Sequence, residues 1–148
     1  MSTSLKTAVK SAPKADLIAL LLSFMDMVRG HLTAELPDSC SFMHVKALDF
    51  IAKSKEPSMS EIAGFLKITS PGATLVVDKL VENLELERHA DPDDRRIVRL
   101  GITAKGKKTL ESGMKIVKKQ VAVSISSLNK SEQKELGSIM NKIIKSKN

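Results

Sequence analysis

The sequence predicts a mainly α-helical chain with one small β-hairpin: a helix-turn-helix followed by a wing, carrying longer dimerisation helices at both ends. Three observations support this. Two short apolar-periodic segments, opened by Ser58 and Ser70, stand three to four residues apart. The apolar period then drops to two, with Val98, Leu100 and Ile102 alternating with Arg99 and Gly101. Both ends carry apolar stripes that a reading head of this size has no use for. The 148 residues suit one domain, residues 13–148, in which 13–36 and 104–148 dimerise and 37–103 form the winged helix-turn-helix.

Residues 1–12, with Lys6 and Lys10 and no acidic group, read as a mobile basic arm. From Pro13, Leu17, Leu20, Leu21, Phe24, Met25 and Val28 recur at helical steps, and Ile18 and Leu22 widen the stripe. A helix apolar around so much of its circumference is buried on two sides, in a core or against a second subunit. Pro37 ends it. Ser39 or Ser41 caps the next helix, with Phe42, Val45, Leu48, Ile51 and Ala52 inward and Lys46, Asp49 and Lys53 in water. Ser58 to Glu61 form a capping box for a short helix whose inner face is Ile62, Ala63 and Leu66. Ser70 caps the following helix, with Pro71 at its first position and Ala73, Val76, Val77 and Leu80 inward. The segment from Leu86 to Ala90 pairs with the alternating strand across Asp91-Pro92-Asp93-Asp94. Thr103 caps a long lysine-rich helix that Gly106 and Gly113 weaken. A last helix begins near Ser131 and carries Leu136, Ile139, Met140, Ile143 and Ile144 on one stripe.

Composition narrows the function. The chain holds 24 Lys plus Arg against 17 Asp plus Glu, so a polyanion is an expected partner. Residues 1–104 carry 13 basic and 14 acidic groups, while 105–148 carry 11 and 3, so the excess lies in the C-terminal third. Trp and Tyr are absent, which argues against stacked single strands and for duplex DNA. The longest apolar run, Leu17 to Leu22, is far short of the ~20 residues of a bilayer span, so a cytoplasmic chain with no membrane partner is expected. Three scattered histidines and a lone Cys40 offer no catalytic spacing and no phosphate-cradling loop, so neither an enzyme nor a cofactor is expected.

The run Asp91-Pro92-Asp93-Asp94-Arg95-Arg96, followed by residues 97–106 through Leu100, Thr103 and Gly106, resembles the wing signature of the MarR family of bacterial transcription regulators, with Ile102 in place of the usual Leu. Ser60-Glu61-Ile62-Ala63 and Asp78-Lys79-Leu80 are similar to that family's helix-turn-helix, so the resemblance covers about residues 58–106. It implies a homodimeric repressor on a pseudo-palindromic operator, released by a small anionic or apolar effector bound between the dimerisation helices and the reading head. A winged helix serving protein interaction without sequence-specific DNA reading is the competing expectation.

Under the resemblance, Ser70, Gly72, Thr74, Leu75 and Lys79 face the major groove, with Leu75 standing where many members carry a long polar side chain. Arg95 or Arg96 enters the minor groove, oriented by Asp94, unless the tip is simply a solvated turn. Arg88, Lys105, Lys107 and Lys108 complete the expected DNA contacts. Leu84 occupies the family's usual glycine after the recognition helix, which shifts the left-handed turn onto Asn83. Leu17, Leu21, Phe24, Leu136, Ile139, Met140, Ile143 and Ile144 are expected to dimerise the chain. Cys40 lies near a helix start, where amide dipoles would favour its thiolate, while most lone cysteines are inert. Peroxide-sensing members place a cysteine inside the first helix beside tyrosines, and this chain does neither. His31, Asp38, Cys40 and His44 bracket one loop, but zinc-sensing members also use histidines on the helix after the wing, and residues 103–128 have none, so no metal is expected.

Overall fold

Helical periodicity and local caps set six helices and one hairpin among the residues that the computed structural model describes, 14–146. They are α1 (Lys14–Glu35), α2 (Phe42–Lys53), α3 (Met59–Leu66), α4 (Ser70–Glu82), β1 (Leu86–Ala90), β2 (Val98–Ile102), α5 (Ala104–Ser124) and α6 (Lys130–Lys145). The basic arm expected over residues 1–12, and Pro13, lie outside the described residues.

The chain divides into two compact units, one of residues 32–119 and one from the segments before 32 and after 119. The larger unit has a continuous apolar core: Ala47, Leu48 and Ile51 of α2, Ile62 and Leu66 of α3, Val77 and Leu80 of α4, Leu86 of β1 and Leu100 of β2. The helix-turn-helix and wing thus share one hydrophobic centre. Val45 is fully buried as expected, outside this cluster, but two expected members of the α2 stripe are not buried. Phe42 is the first residue of the helix and Ala52 lies near its last turn, and both are exposed, whereas Ala47 is fully buried. Phe50 stacks on Phe65 of α3 with ring centroids 4.2 Å apart, and the Lys46 ammonium lies over the Phe65 ring.

Caps place the helix boundaries. Ser41 caps α2 in a capping box whose third residue is His44: its Nδ1 accepts from the Ser41 N–H at 3.0 Å. The Ser58–Glu61 box opens α3 as expected. Thr69, not Ser70, caps α4, because its hydroxyl reaches the Gly72 N–H, and Pro71 therefore falls at the second helical position. Asn129 caps α6, which opens one residue before Ser131: its side-chain carbonyl accepts both the Ser131 and Glu132 N–H groups, and Glu132 accepts the Asn129 N–H in return. Thr103 caps α5 through the Gly106 N–H.

Both helices of the helix-turn-helix end on a left-handed residue that is not glycine. Lys67 (φ 54°) closes α3, with the Ile68 N–H bonded to the Ala63 carbonyl. After α4 the left-handed residue is Leu84 (φ 60°), while Asn83 stays at φ −76°, which corrects the expected shift onto Asn83. The Glu85 N–H reaches back to the Leu80 carbonyl and the Leu84 N–H to the Val81 carbonyl, a closing pattern that requires positive φ at Leu84. Glycine is needed further on, at Gly106, where a Cβ would lie 2.1 Å from the Glu85 carbonyl oxygen, and at Gly113, where it would meet Val45 at 2.6 Å. The glycines of α5 weaken the helix locally and let it approach Glu85 and α2.

The smaller unit carries the apolar surface. Leu17, Ile18, Leu20, Leu21, Leu22, Phe24, Met25 and Met27 of α1 are each 40–60% exposed, and Ile139, Met140, Ile143 and Ile144 of α6 are comparably so, with Leu136 half-buried. Asp16–Glu35 is long and apolar enough, by length and composition, to cross a membrane, a property that the six-residue run from Leu17 to Leu22 does not convey. Ser124 Oγ donates to the Gln120 carbonyl and meets His31 Nδ1 at 3.1 Å.

Leu84 is 70% exposed, so replacing it forfeits little burial while relieving the left-handed backbone. Leu84→Gly is expected to raise the free energy of unfolding by about 0.5–1 kcal/mol, as read by urea denaturation at neutral pH; a loss of that size would show that Leu84 packs in a way its exposure hides.

Candidate nucleic-acid interface

The helix-turn-helix presents its second helix and the wing to solvent. In α4, Ala73, Val77 and Leu80 are buried, which turns Ser70, Pro71, Thr74, Leu75 and Lys79 outward on the opposite face. Leu75 is 73% exposed, an apolar side chain in the middle of that face. The Thr74 hydroxyl donates to the Ser70 carbonyl at 3.0 Å, and Gly72 is half-buried with its N–H on Thr69. Lys79 lies 3.8 Å from Glu82, one turn along.

The wing is an antiparallel pair in which Leu86 faces Ile102 and Ala90 faces Val98. Its tip is built around Asp91, which is only 7% exposed. One Asp91 oxygen accepts the Asp93 and Asp94 N–H groups at 2.8 and 3.0 Å, and the other accepts Arg99 Nε–H at 2.6 Å. Arg99 also reaches Glu61 at 3.4 Å, and Glu61 simultaneously accepts the Ser58 N–H at 2.7 Å. The Leu100 N–H donates to the Pro57 carbonyl, and Ser58 pairs with Arg99 as an isolated bridge, so β2 is fastened to the residues that open α3. This chain of contacts was not legible in the sequence, where Asp91 read as part of a charged turn and Arg99 as the solvent side of a strand.

The electrostatics follow the bonds. The Arg99 guanidinium, then the Asp94 and Asp93 amides, hold the Asp91 carboxyl below the usual carboxylate range. The Ser58 amide and hydroxyl do the same for Glu61, and Asp91 pushes Arg99 up. Beside the wing, Arg88 of β1 is ion-paired with Asp78 of α4, so its guanidinium joins strand to recognition helix. Arg95 and Arg96 at the tip are exposed, and among the described residues neither guanidinium has an ion-pair partner. Asp94 orients this turn through the Arg96 backbone N–H at 2.9 Å and leaves the guanidinium unbound.

The expected phosphate-binding lysines divide. Lys105 folds back, and its ammonium donates to the Asn83 carbonyl at 2.7 Å, where it offsets the C-terminal end of α4. Lys107 and Lys108 are exposed. At Cys40 the helix start does not activate the thiol: it is buried, and burial, then the nearby Glu85 charge, raise its pKa, so the thiolate is disfavoured. Burial likewise lowers the His44 pKa, keeping the neutral ring that its cap requires. No group of three metal-ligating side chains stands together among the described residues.

With Asp91 and Glu61 both depressed, their stabilisation is fully present above about pH 5 and is lost progressively as the pH falls through their folded-state values. Asp91→Asn is therefore expected to be less stable than the parent at pH 7 and to converge toward it at pH 3. Parallel urea titrations across that range test this, and a constant difference at every pH would remove the Asp91–Arg99 pair as its source.

The family model described as the MarR family matches residues 43–98. The HTH-type transcriptional regulator BilQ of Clostridium symbiosum is 30% identical over 98 residues, covering 66% of this chain and 68% of that protein. The HTH-type transcriptional regulator YpoP of Bacillus subtilis is 27% identical over 103 residues, covering 70% and 73%. Among solved structures, wild-type MarR from E. coli superposes with a TM-score of 0.75 at 20% identity, over 90% of this chain and 98% of that one. BpsR of Bordetella bronchiseptica, whose DNA binding is regulated by 6-hydroxynicotinic acid, does so with a TM-score of 0.74 at 19% identity, over 86% and 98%.

Proposed function

Because this chain belongs to the MarR family of transcription regulators and carries its DNA-binding winged helix, we propose that it is a homodimeric repressor in a bacterial cytoplasm. It reads a pseudo-palindromic duplex operator and leaves it when a small molecule binds. The observation that carries the DNA reading is the wing tip: Arg88 and Arg99 are engaged inside the fold, whereas Arg95 and Arg96 stand exposed with no ion-pair partner among the described residues. A guanidinium held out on a fastened turn suits the narrow, negative minor groove. The outward face of α4, with Ser70, Thr74, Leu75 and Lys79, then meets the major groove, where Leu75 suits a thymine methyl. Lys107 and Lys108 supply phosphate attraction.

Dimerisation is supported by the exposed apolar residues of α1 and α6, too many to remain in water. An effector is supported by analogy with BpsR, whose DNA binding responds to a small molecule. A protein-interaction role has one observation in its favour, the exposed Leu75 on a recognition helix whose only cation is Lys79.

Mobility shifts on fragments of the host's own genome, at low and at about 0.2 M salt, test the function. Retention of a few fragments at the higher salt is the expected result, and binding without preference that vanishes there favours the interaction role. On a selected fragment, Arg96→Ala is expected to weaken binding by about tenfold or more with unfolding unchanged within about 0.5 kcal/mol, while Arg99→Ala loses both. Equal affinity of Arg96→Ala and parent would take the wing off the DNA.

The double change Ile139→Asp and Ile143→Asp is expected to give a monomer or an unfolded chain, because each charge buried in an apolar interface costs several kcal/mol. Sedimentation showing an intact, folded dimer would refute that interface.

A further inference from the structure

We propose that the cavity between the end of α1, the α1–α2 loop and α5 takes a small ligand bearing a positive charge, anchored by the Glu85 carboxylate. This names the chemistry of the effector and rests on the regulator reading above.

The cavity lies wholly within residues 32–119 and has a volume of 260 Å³. That is just below the ~300 Å³ at which pockets for drug-sized molecules begin, so it suits one ring with a short chain. Its apolar wall is Leu36, Pro37, Cys40 and Ile116, and its charged groups are Glu85 and Lys108. Glu85 is 7% exposed, and among the described residues only the Thr109 hydroxyl, at 2.7 Å, reaches its carboxylate. No cation lies within ion-pairing distance of it among those residues. A carboxylate so far out of water is costly without a charged partner, and the cavity beside it is where such a partner fits.

Lys108 does not reverse the sign of the site. It is an exposed residue on a flexible stem, free to keep its ammonium in water, whereas Glu85 is fixed by its backbone and by Thr109. The carboxylate's field also reaches the opposite wall, where it adds to burial in keeping the Cys40 thiol protonated. An anion such as 6-hydroxynicotinate would meet a like charge here.

The position of Glu85 gives the ligand a route to the DNA-binding face. Its N–H donates to the Leu80 carbonyl in the last turn of α4, and its carbonyl accepts the Thr103 N–H at 3.1 Å, with Gly106 packed against it. The residue that anchors the ligand is thus the joint between recognition helix and α5. A cation that draws the carboxylate into the cavity bears on both elements, which is the differential contact that regulation requires.

The test uses the full chain without DNA and two probes of similar shape and opposite charge, phenethylammonium and 3-phenylpropanoate, followed by calorimetry and by alkylation of Cys40 with iodoacetamide. The parent is expected to bind the ammonium at least about tenfold more tightly than the carboxylate and to have Cys40 alkylation slowed by it. Glu85→Gln, which can still accept the Thr109 hydrogen bond, is expected to lose about tenfold in ammonium affinity. Lys108→Gln is expected to gain several-fold, and it decides the matter if Glu85→Gln does not fold. Failure of the ammonium to bind, equal binding of the carboxylate, or an unchanged preference in Glu85→Gln would overturn the proposal. Ammonium binding in a chain that retains no genomic fragment overturns the regulator reading and leaves the site standing; the converse overturns the site alone.

Discussion

The geometry of the reading head depends on one ion-paired group, Arg99 between Asp91 and Glu61. Each partner is committed elsewhere: Asp91 to the amides of the wing turn, Glu61 to the cap of α3. A single guanidinium therefore ties the tip of the hairpin to the first helix of the helix-turn-helix. A two-stranded hairpin alone is marginal in water, and what makes this one a defined surface is that β2 is bonded to Pro57 and Ser58 while Leu86 and Leu100 enter the common core. Most of these charges are partly exposed, so their value lies more in orientation than in stabilisation.

A second constraint operates at the other end of the recognition helix. Left-handed Leu84 turns the chain sharply, which brings the Glu85 carbonyl onto Thr103 and against Gly106, while Lys105 bonds to Asn83. Helix, strand and the start of α5 therefore converge within a few residues. Glycine at Gly106 is required by approach, since its φ is ordinary, and non-glycine at Leu84 is tolerated because two reverse hydrogen bonds hold it.

The division of charge has a structural counterpart. Within residues 32–119, Glu61, Asp78 and Asp91 are held in a cap, a turn and ion pairs and Glu85 by the Thr109 hydroxyl, while Arg95 and Arg96 have no ion-pair partner among the described residues. The tip carries Arg95 and Arg96 beside the exposed Asp93 and Asp94, so its attraction for phosphate rests on the reach of the guanidinium groups and not on local net charge. The remaining excess of lysine lies on α5 and α6.

How much of this was legible follows from the range of each interaction. Residue order determined the six helices and the hairpin, the Ser58–Glu61 box, the buried faces of α3 and α4, and the wing signature, because periodicity, capping and turn chemistry act within four or five residues. Neighbouring capable residues blurred the boundaries, so Thr69 displaced Ser70 as the cap of α4. Only the tertiary structure decided that Arg99 faces Asp91 and Glu61, that Arg88 is held by Asp78, that Cys40 is buried with its thiol protonated, and that Glu85 is a buried carboxylate on a cavity. These partners come from different elements, up to 45 residues apart for Cys40 and Glu85, and a charged or thiol side chain looks the same in sequence whether it ends in water or against another chain segment. Burial and pairing are properties of what the fold brings alongside, and that is set by the shared core of α2, α3, α4 and the two strands.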